Sequence, residues 1–292
     1  MALHPEAEGL SALSARDAGG RAADGADPAG RVLVVTAVAA ERDAVCAASA
    51  DGAAPAVRTL PGGGELRCVR GGPVALDVLA AGVGPAAAAA GTATALTAAA
   101  LAGAPYGLVV SAGIGGGFPP GAGPVRPGGA ASGVPLGAVV VAEVIVAADL
   151  GAETPDGFTP VTELGFGTVA HRPDPALVEA VAAAAGAAVG PVVTVSTVTG
   201  SAARAAELAG RHPGVLVEAM EGFGVAEAAA AHGVPVLEIR SVSNAVGPRD
   251  RAAWRIGDAL AALTGAFRTF PGAVAAAGGP AAEPHRPSRR TS

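Results

Sequence analysis

A chain of 292 residues with 25 acids, 19 arginines and no lysine carries a net charge of −6, and it offers no basic stripe for nucleic acid. Half of it is hydrophobic (51%), with only 15% charged and 3% aromatic residues, enough for one large α/β domain or two small ones. Ala, Gly, Val and Arg fill so many positions that residue propensity says little, and the order of apolar runs becomes the main signal.

Residues 1–30 are polar, show no sustained periodicity and are expected to form a disordered extension. Their acids and lack of an apolar core exclude a signal peptide, which points to the cytoplasm. RVLVVTAV (31–38) is predicted to be a strand leading into a helix near Ala40. VALDVLAAGVG (74–84) predicts a strand and a glycine turn, with an Ala-rich helix over 86–102. The uncharged stretch 86–104 is too poor in large apolar side chains for a membrane span, which needs about 20 strongly apolar residues. YGLVVSAGIGGGF (106–118) is a strand ending in glycines, and 137–151 a strand pair or one bent strand. A helix over 175–188 and a strand–turn–helix over 191–208 follow, then a short strand and helix over 214–233. VPVLEIRSVSN (234–244) is a buried strand, 251–267 a closing helix, and the tail from 271 another disordered segment. Cys46 and Cys68 have no His or Cys at ligand spacing and read as reduced thiols.

This alternation predicts one folded domain over 31–270, a mixed, mostly parallel central sheet flanked by helices. Ligands bind beyond the carboxyl ends of such strands. That rule selects 36–41, 82–84, 111–118, 196–200, 218–221 and 241–244 as one surface. GVGPAA (82–87) fits a dinucleotide loop, but the next strand ends in SAGIGGG where that reading wants an acid. SAGIGGGF (111–118), with Gly115 and Gly116 at its centre, is either a loose turn or a place where backbone approaches a ligand. It contains no cation of the kind a phosphate site wants. Glu41, taken alone, is an ordinary helix-end acid. Glu218 and Glu221 flank Met220 between an apolar strand and an apolar helix, where a carboxylate needs a partner. Glu218 can be a capping acid, whereas Glu221 suits two neighbouring sugar hydroxyls better.

Glu41 after the first strand, SAGIGGGF, AMEGFGVAEAA and VPVLEIRSVSN resemble, in that order, the motifs of the nucleoside phosphorylase and methylthioadenosine/S-adenosylhomocysteine nucleosidase superfamily. The resemblance spans 32 to about 266, and LGAETPDGF and SVSNAVGPRDRAAW look most like its futalosine hydrolase branch. It implies a nucleoside phosphorylase-like fold and cleavage of an N-glycosidic bond through an oxocarbenium-like transition state. For the futalosine branch it implies release of hypoxanthine, in menaquinone biosynthesis. By family pattern Glu41 activates the water and Glu221 grips the ribose 2′ and 3′ hydroxyls. Met220 packs on the ribose, Val198 and Thr199 line the base, Ser243 and Asn244 read the purine, and Phe166 is a candidate substrate wall.

Two departures from that pattern bear on the chemistry. Where related phosphorylases carry Arg and Ser for phosphate, this chain has Ser111 and Ile114, which favours water as nucleophile. Where adenine-releasing nucleosidases have Asp, it has Asn244, whose amide offers one acceptor and one donor group to the N7–H and 6-oxo edge of hypoxanthine. A mismatched buried hydrogen-bond pair costs about 1–3 kcal/mol, enough to choose between bases. The resemblance implies no metal or cofactor, a small-molecule nucleoside substrate, no nucleic-acid or membrane partner, and a homo-oligomer. A phosphate-dependent or adenine-releasing relative, a non-catalytic nucleoside sensor and a dinucleotide-binding oxidoreductase stay open as alternatives.

Overall fold

The structure, a computed structural model, describes residues 30–49, 54–121, 123–124 and 133–278. The expected N-terminal extension, apart from Gly30, and the tail beyond 278 lie outside the described residues. The strands are β1 (Arg31–Thr36), β2 (Ala56–Thr59), β3 (Glu65–Val69), β4 (Ala75–Ala80), β5 (Leu108–Gly117), β6 (Val139–Ala147), β7 (Gly151–Thr154), β8 (Gly157–Pro160), β9 (Ala170–His171), β10 (Ala188–Thr194), β11 (Val217–Ala219) and β12 (Val236–Ala245). The helices are α1 (Ala39–Cys46), α2 (Pro85–Leu101), α3 (Pro175–Ala185), α4 (Ala202–Arg211), α5 (Gly222–Ala231) and α6 (Ile256–Ala276).

Ten strands form one mixed sheet in the order β11–β10–β6–β12–β5–β1–β4–β3–β2, with β9 on β6. Parallel pairings of β4, β1, β5 and β12 build its middle, as the apolar runs imply. β1 is buried on both faces. Leu33 and Val35 join the cluster under α2 and α5, while Val32 and Val34 join the one under α3 and α6. A strand covered on both sides must be apolar at every position, which is why it carries no alternation. β12 runs antiparallel to β6, and β11 pairs with β10 on one side and antiparallel with β5 on the other. The sheet thus closes on itself through β5, β12, β6, β10 and β11.

Three features differ from the expectation. Of the two readings of 137–151 the single strand holds, but β6 ends at Ala147, and Gly151 begins β7, which pairs with β8 in a separate two-stranded ribbon that was not expected. The β2–β3 hairpin, exposed along β2, carries too little apolar pattern to be seen in sequence. α6 starts five residues later than 251, after a 3-10 turn at Arg251–Ala253, and continues through Pro271 to Ala276. Burial of Phe270, Ala273 and Val274 offsets the hydrogen bond that Pro271 cannot donate. By length and composition α6 would also pass for a membrane span. Here one of its faces packs on α3, α1 and β12.

The β2–β3 hairpin is tied down by Asp77 on β4, which is almost fully buried. Asp77 accepts from Arg31, Arg58, Arg70 and the Tyr106 hydroxyl. Burial alone would raise its carboxyl; the hydrogen bonds from Arg70 and Tyr106, the Arg70 charge and the Arg31 bond overcome this and hold it at about 2.

Candidate active site

The interiors of β12 and β5, with Glu221 just after β11 and Glu41 on α1, bring a cluster of buried charge together. On β12, Glu238 and Arg240 alternate onto one face, with exposures of 0% and 1%. Arg240 Nε donates to Glu238 Oε1 at 2.9 Å, and Nη2 donates to Ser111 Oγ of β5 at 2.9 Å. Its Nη1 lies 3.2 Å from Glu221 Oε2, an ion pair without hydrogen-bond geometry. Burial pushes the Glu238 carboxyl above the ordinary carboxylate range, with Arg240 opposing and Glu221 adding to the shift. The three neighbouring carboxylates of Glu238, Glu221 and Glu41 keep Arg240 charged against its own burial.

Glu41, on the first turn of α1, does cap its helix: Oε2 accepts from the N–H groups of Ala37 (3.0 Å) and Val38 (3.2 Å). Its other oxygen turns away from the helix and accepts from Ile114 N of β5 at 2.9 Å. A Cβ at Gly113 would lie 2.5 Å from Glu41 Oε1 and 2.7 Å from Arg240 Nη1, so only glycine lets both groups reach this strand. Glu221 precedes α5 but makes no capping bond; its Oε1 accepts from Gly84 N at 3.2 Å. The GVGPAA turn therefore does present an amide to an anion at the start of α2, and the anion is the chain's own Glu221.

The strand-end glycines form sheet, not a loose turn. The Cβ positions of Gly115 are occupied by Val217 and the Glu218 carbonyl, and those of Gly116 by Val246 (3.0 Å) and Asn244 Nδ2 (3.3 Å). The close approach that these glycines allow is that of β11 and the end of β12. The register of β12 on β5 shifts between Val242 and Asn244, making Ser243 the extra residue of a bulge, a device that re-aims side chains. The single Ser243 hydroxyl proton is shared between Asn244 Oδ1 (2.8 Å) and Gly115 O (3.2 Å), while Asn244 Nδ2 donates to Ala245 O (3.0 Å). Each amide group of Asn244 keeps one hydrogen-bonding position unused by these contacts. Ser241 belongs to the scaffold, donating to Ala259 O of α6 at 2.8 Å.

The remaining site residues fall on or just after β11 and in the loop after β10, except Phe166, which follows the β7–β8 ribbon. Met220 is half-buried beside Glu221. Thr199 is buried and Val198 is 40% exposed. Glu218 is not a capping acid: it lies on β11 and both its oxygens accept from Thr199, from N at 2.8 Å and from Oγ1. Burial pushes its carboxyl up, against the two Thr199 bonds. Phe166, in the turn after the β7–β8 ribbon, is 67% exposed.

The expectation that the glycine strand lacks a cation needs correcting, because Arg240 reaches it from β12. A phosphate there would meet three carboxylates that already engage this guanidinium. Sequence reasoning also missed Glu238 and the part played by Ser111. The signal was present in VLEIR: an acid and a base two residues apart on one face of an otherwise apolar strand.

No protein-family model matches the chain. The futalosine hydrolase of Streptomyces coelicolor is 64% identical over 235 residues, which cover 80% of this chain and 92% of that protein. The chain belongs to the futalosine hydrolase family. A second member, from Acidothermus cellulolyticus, is 45% identical over 240 residues, covering 80% of this chain and 88% of its own. Among solved structures, a methylthioadenosine/S-adenosylhomocysteine nucleosidase from Colwellia psychrerythraea in complex with adenine superposes with a TM-score of 0.67 at 18% identity, covering 84% of this chain and 96% of that one. A futalosine hydrolase mutant from Helicobacter pylori superposes with a TM-score of 0.65 at 16% identity, covering 82% and 98%. Both share the fold of this chain.

Proposed function

We propose that this enzyme hydrolyses the N-glycosidic bond of futalosine, releasing hypoxanthine and dehypoxanthine futalosine, in menaquinone biosynthesis by the futalosine pathway. Kinship with a futalosine hydrolase over nearly that protein's whole length carries the reading. The Glu41–Arg240–Glu221 cluster supports it with suitable chemistry. A water held at Glu41 attacks C1′ as the C1′–N9 bond breaks and its electron pair passes to the purine; Glu41 takes the water proton, and the departing purine anion takes its N7 proton from solvent water. Glu221 accepts from the ribose 2′ and 3′ hydroxyls and sets negative charge beside the developing oxocarbenium. Met220 packs on the ribose, Val198 and Thr199 line the base, and Phe166 is a wall for the remainder of the substrate. Asn244, oriented by Ser243, meets the N7–H and 6-oxo edge of hypoxanthine. The protein works as a homo-oligomer, as the superfamily resemblance implies.

Incubating the purified protein with futalosine and following the free base by chromatography tests this. Hypoxanthine should appear at the same rate with and without phosphate. Strict dependence on phosphate, or no release at all, would refute hydrolysis of futalosine.

A further inference from the structure

Glu218 is an expensive residue for its place. It is 6% exposed, and its carboxylate faces no cation within ion-pair distance among the described residues. A buried acid costs free energy unless its bonds repay it, and an apolar side chain would fill β11 at lower cost. Both its oxygens are spent on Thr199, through the backbone N–H and the hydroxyl. The other end of the same loop is held similarly: Asp149 Oδ2 accepts from Ser196 N at 2.6 Å. Val195 N donates to Ala219 O, the residue before Met220. Between the two carboxylates Thr197 and Val198 stand exposed. Beyond Thr199, Gly200 abuts the Arg249 side chain, on the segment that follows Asn244. Through its backbone Glu218 also pairs with Gly116, against which Asn244 is seated. One residue thus joins the seat of Asn244 to the loop that carries Val198.

We propose that Glu218 is a positioning residue for base recognition: with Asp149 it holds the loop 196–200 in one shape, so that Val198 and Asn244 present a single pocket to the purine. This rests on the reading of that loop as a wall of the base site in futalosine hydrolysis. The physical content is preorganisation, in which the loop's ordering is completed before substrate arrives.

The full-length protein and its Glu218→Ala, Glu218→Gln and Thr199→Val variants are compared in two assays. The first is amide hydrogen exchange of the peptide spanning 195–201, with peptides from β1 as internal control. The second is steady-state kinetics on futalosine and on its 6-amino analogue. Glu218→Ala should speed exchange of the loop about tenfold or more, leave β1 unchanged, raise KM for futalosine about tenfold and narrow the preference between the two bases, while kcat changes less. Glu218→Gln, which still accepts from Thr199 N and can pair with its hydroxyl, should stay within about threefold of wild type. Thr199→Val should fall between them. Wild-type exchange, KM and base preference in Glu218→Ala would overturn the proposal. If that variant does not fold, wild-type behaviour of Thr199→Val in both assays overturns it instead. If the wild-type protein leaves futalosine intact, the futalosine reading fails, and loop exchange unchanged by Glu218→Ala overturns the clamp separately.

Discussion

Replacing Arg240 by methionine keeps the volume of the side chain roughly constant and deletes its charge. Glu238, fully buried, would then have no partner on either oxygen, since its Oε2 already lacks one and its Oε1 bonds only Arg240. Glu221 would lose its counter-charge, keeping the bond from Gly84 N. Removing one partner of a buried ion pair costs about 3–5 kcal/mol. Against a total stability of about 5–15 kcal/mol that is a large share. In a domain of this size it lowers Tm by roughly 6–20 °C. The loss should depend on pH, with a sign set by Glu238. Its folded carboxyl already lies above the ordinary range through burial, with Arg240 opposing the shift. An acid whose folded pKa exceeds its unfolded value, near 4.3 for Glu, favours folding below that value and loses the contribution as pH rises through the folded one. Without Arg240 the upward shift grows, so the deficit relative to wild type should shrink as pH falls from 8 to 5. Thermal melts of both proteins by circular dichroism at the two pH values measure it. A deficit below about 1 kcal/mol, or one equal at both pH values, would refute the account of Arg240 as the counter-ion of this cluster.

Three further outcomes follow from the same geometry. Glu41→Gln removes the proposed base and keeps an acceptor for only one side of its backbone donors, Ala37 and Val38 or Ile114, so turnover of futalosine should fall about 100- to 10,000-fold while stability falls by only about 1–3 kcal/mol; full activity would show the water-activating group lies elsewhere. Asn244→Asp should shift the ratio of kcat/KM for futalosine over its 6-amino analogue toward the analogue by about 5- to 150-fold, the equivalent of about 1–3 kcal/mol. Asp77, held at about 2 by its arginines and Tyr106 against its burial, has a lowered folded pKa. Its contribution of about 2 kcal/mol is therefore present above pH 4 and lost as pH falls toward 2. Asp77→Asn should be less stable at pH 7 by about that much, with the gap to wild type closing in acid, as chemical denaturation across the pH range would show.

The elements that carry the site were legible because each has a strong local signal. β1, β5 and β12 are apolar runs buried on both faces, and Glu41, Glu221 and Asn244 stand at predicted strand or helix ends. The hairpin β2–β3 was not legible, because an edge pinned by arginines around Asp77 needs no apolar periodicity. The glycines of SAGIGGGF were visible as glycines, but what they admit was not. Gly113 admits Glu41 and Arg240, Gly115 admits β11, and Gly116 admits Val246 and Asn244.

By itself the sequence determined the order of the strands and helices that carry the site, the family motifs and the small set of acids near strand and helix ends. These follow from continuous apolar runs and Ala-rich stretches along the chain, which mark strands covered on both faces and the helices between them. Only the tertiary structure decided how those acids are partnered. Arg240, two residues from Glu238 in sequence, lies 199 positions from Glu41 and 129 from Ser111, and meets them only because β12 pairs with β5 beside β1. Partnership of buried charge depends on distances across strands. A string of residues does not contain those distances until the sheet has set its register.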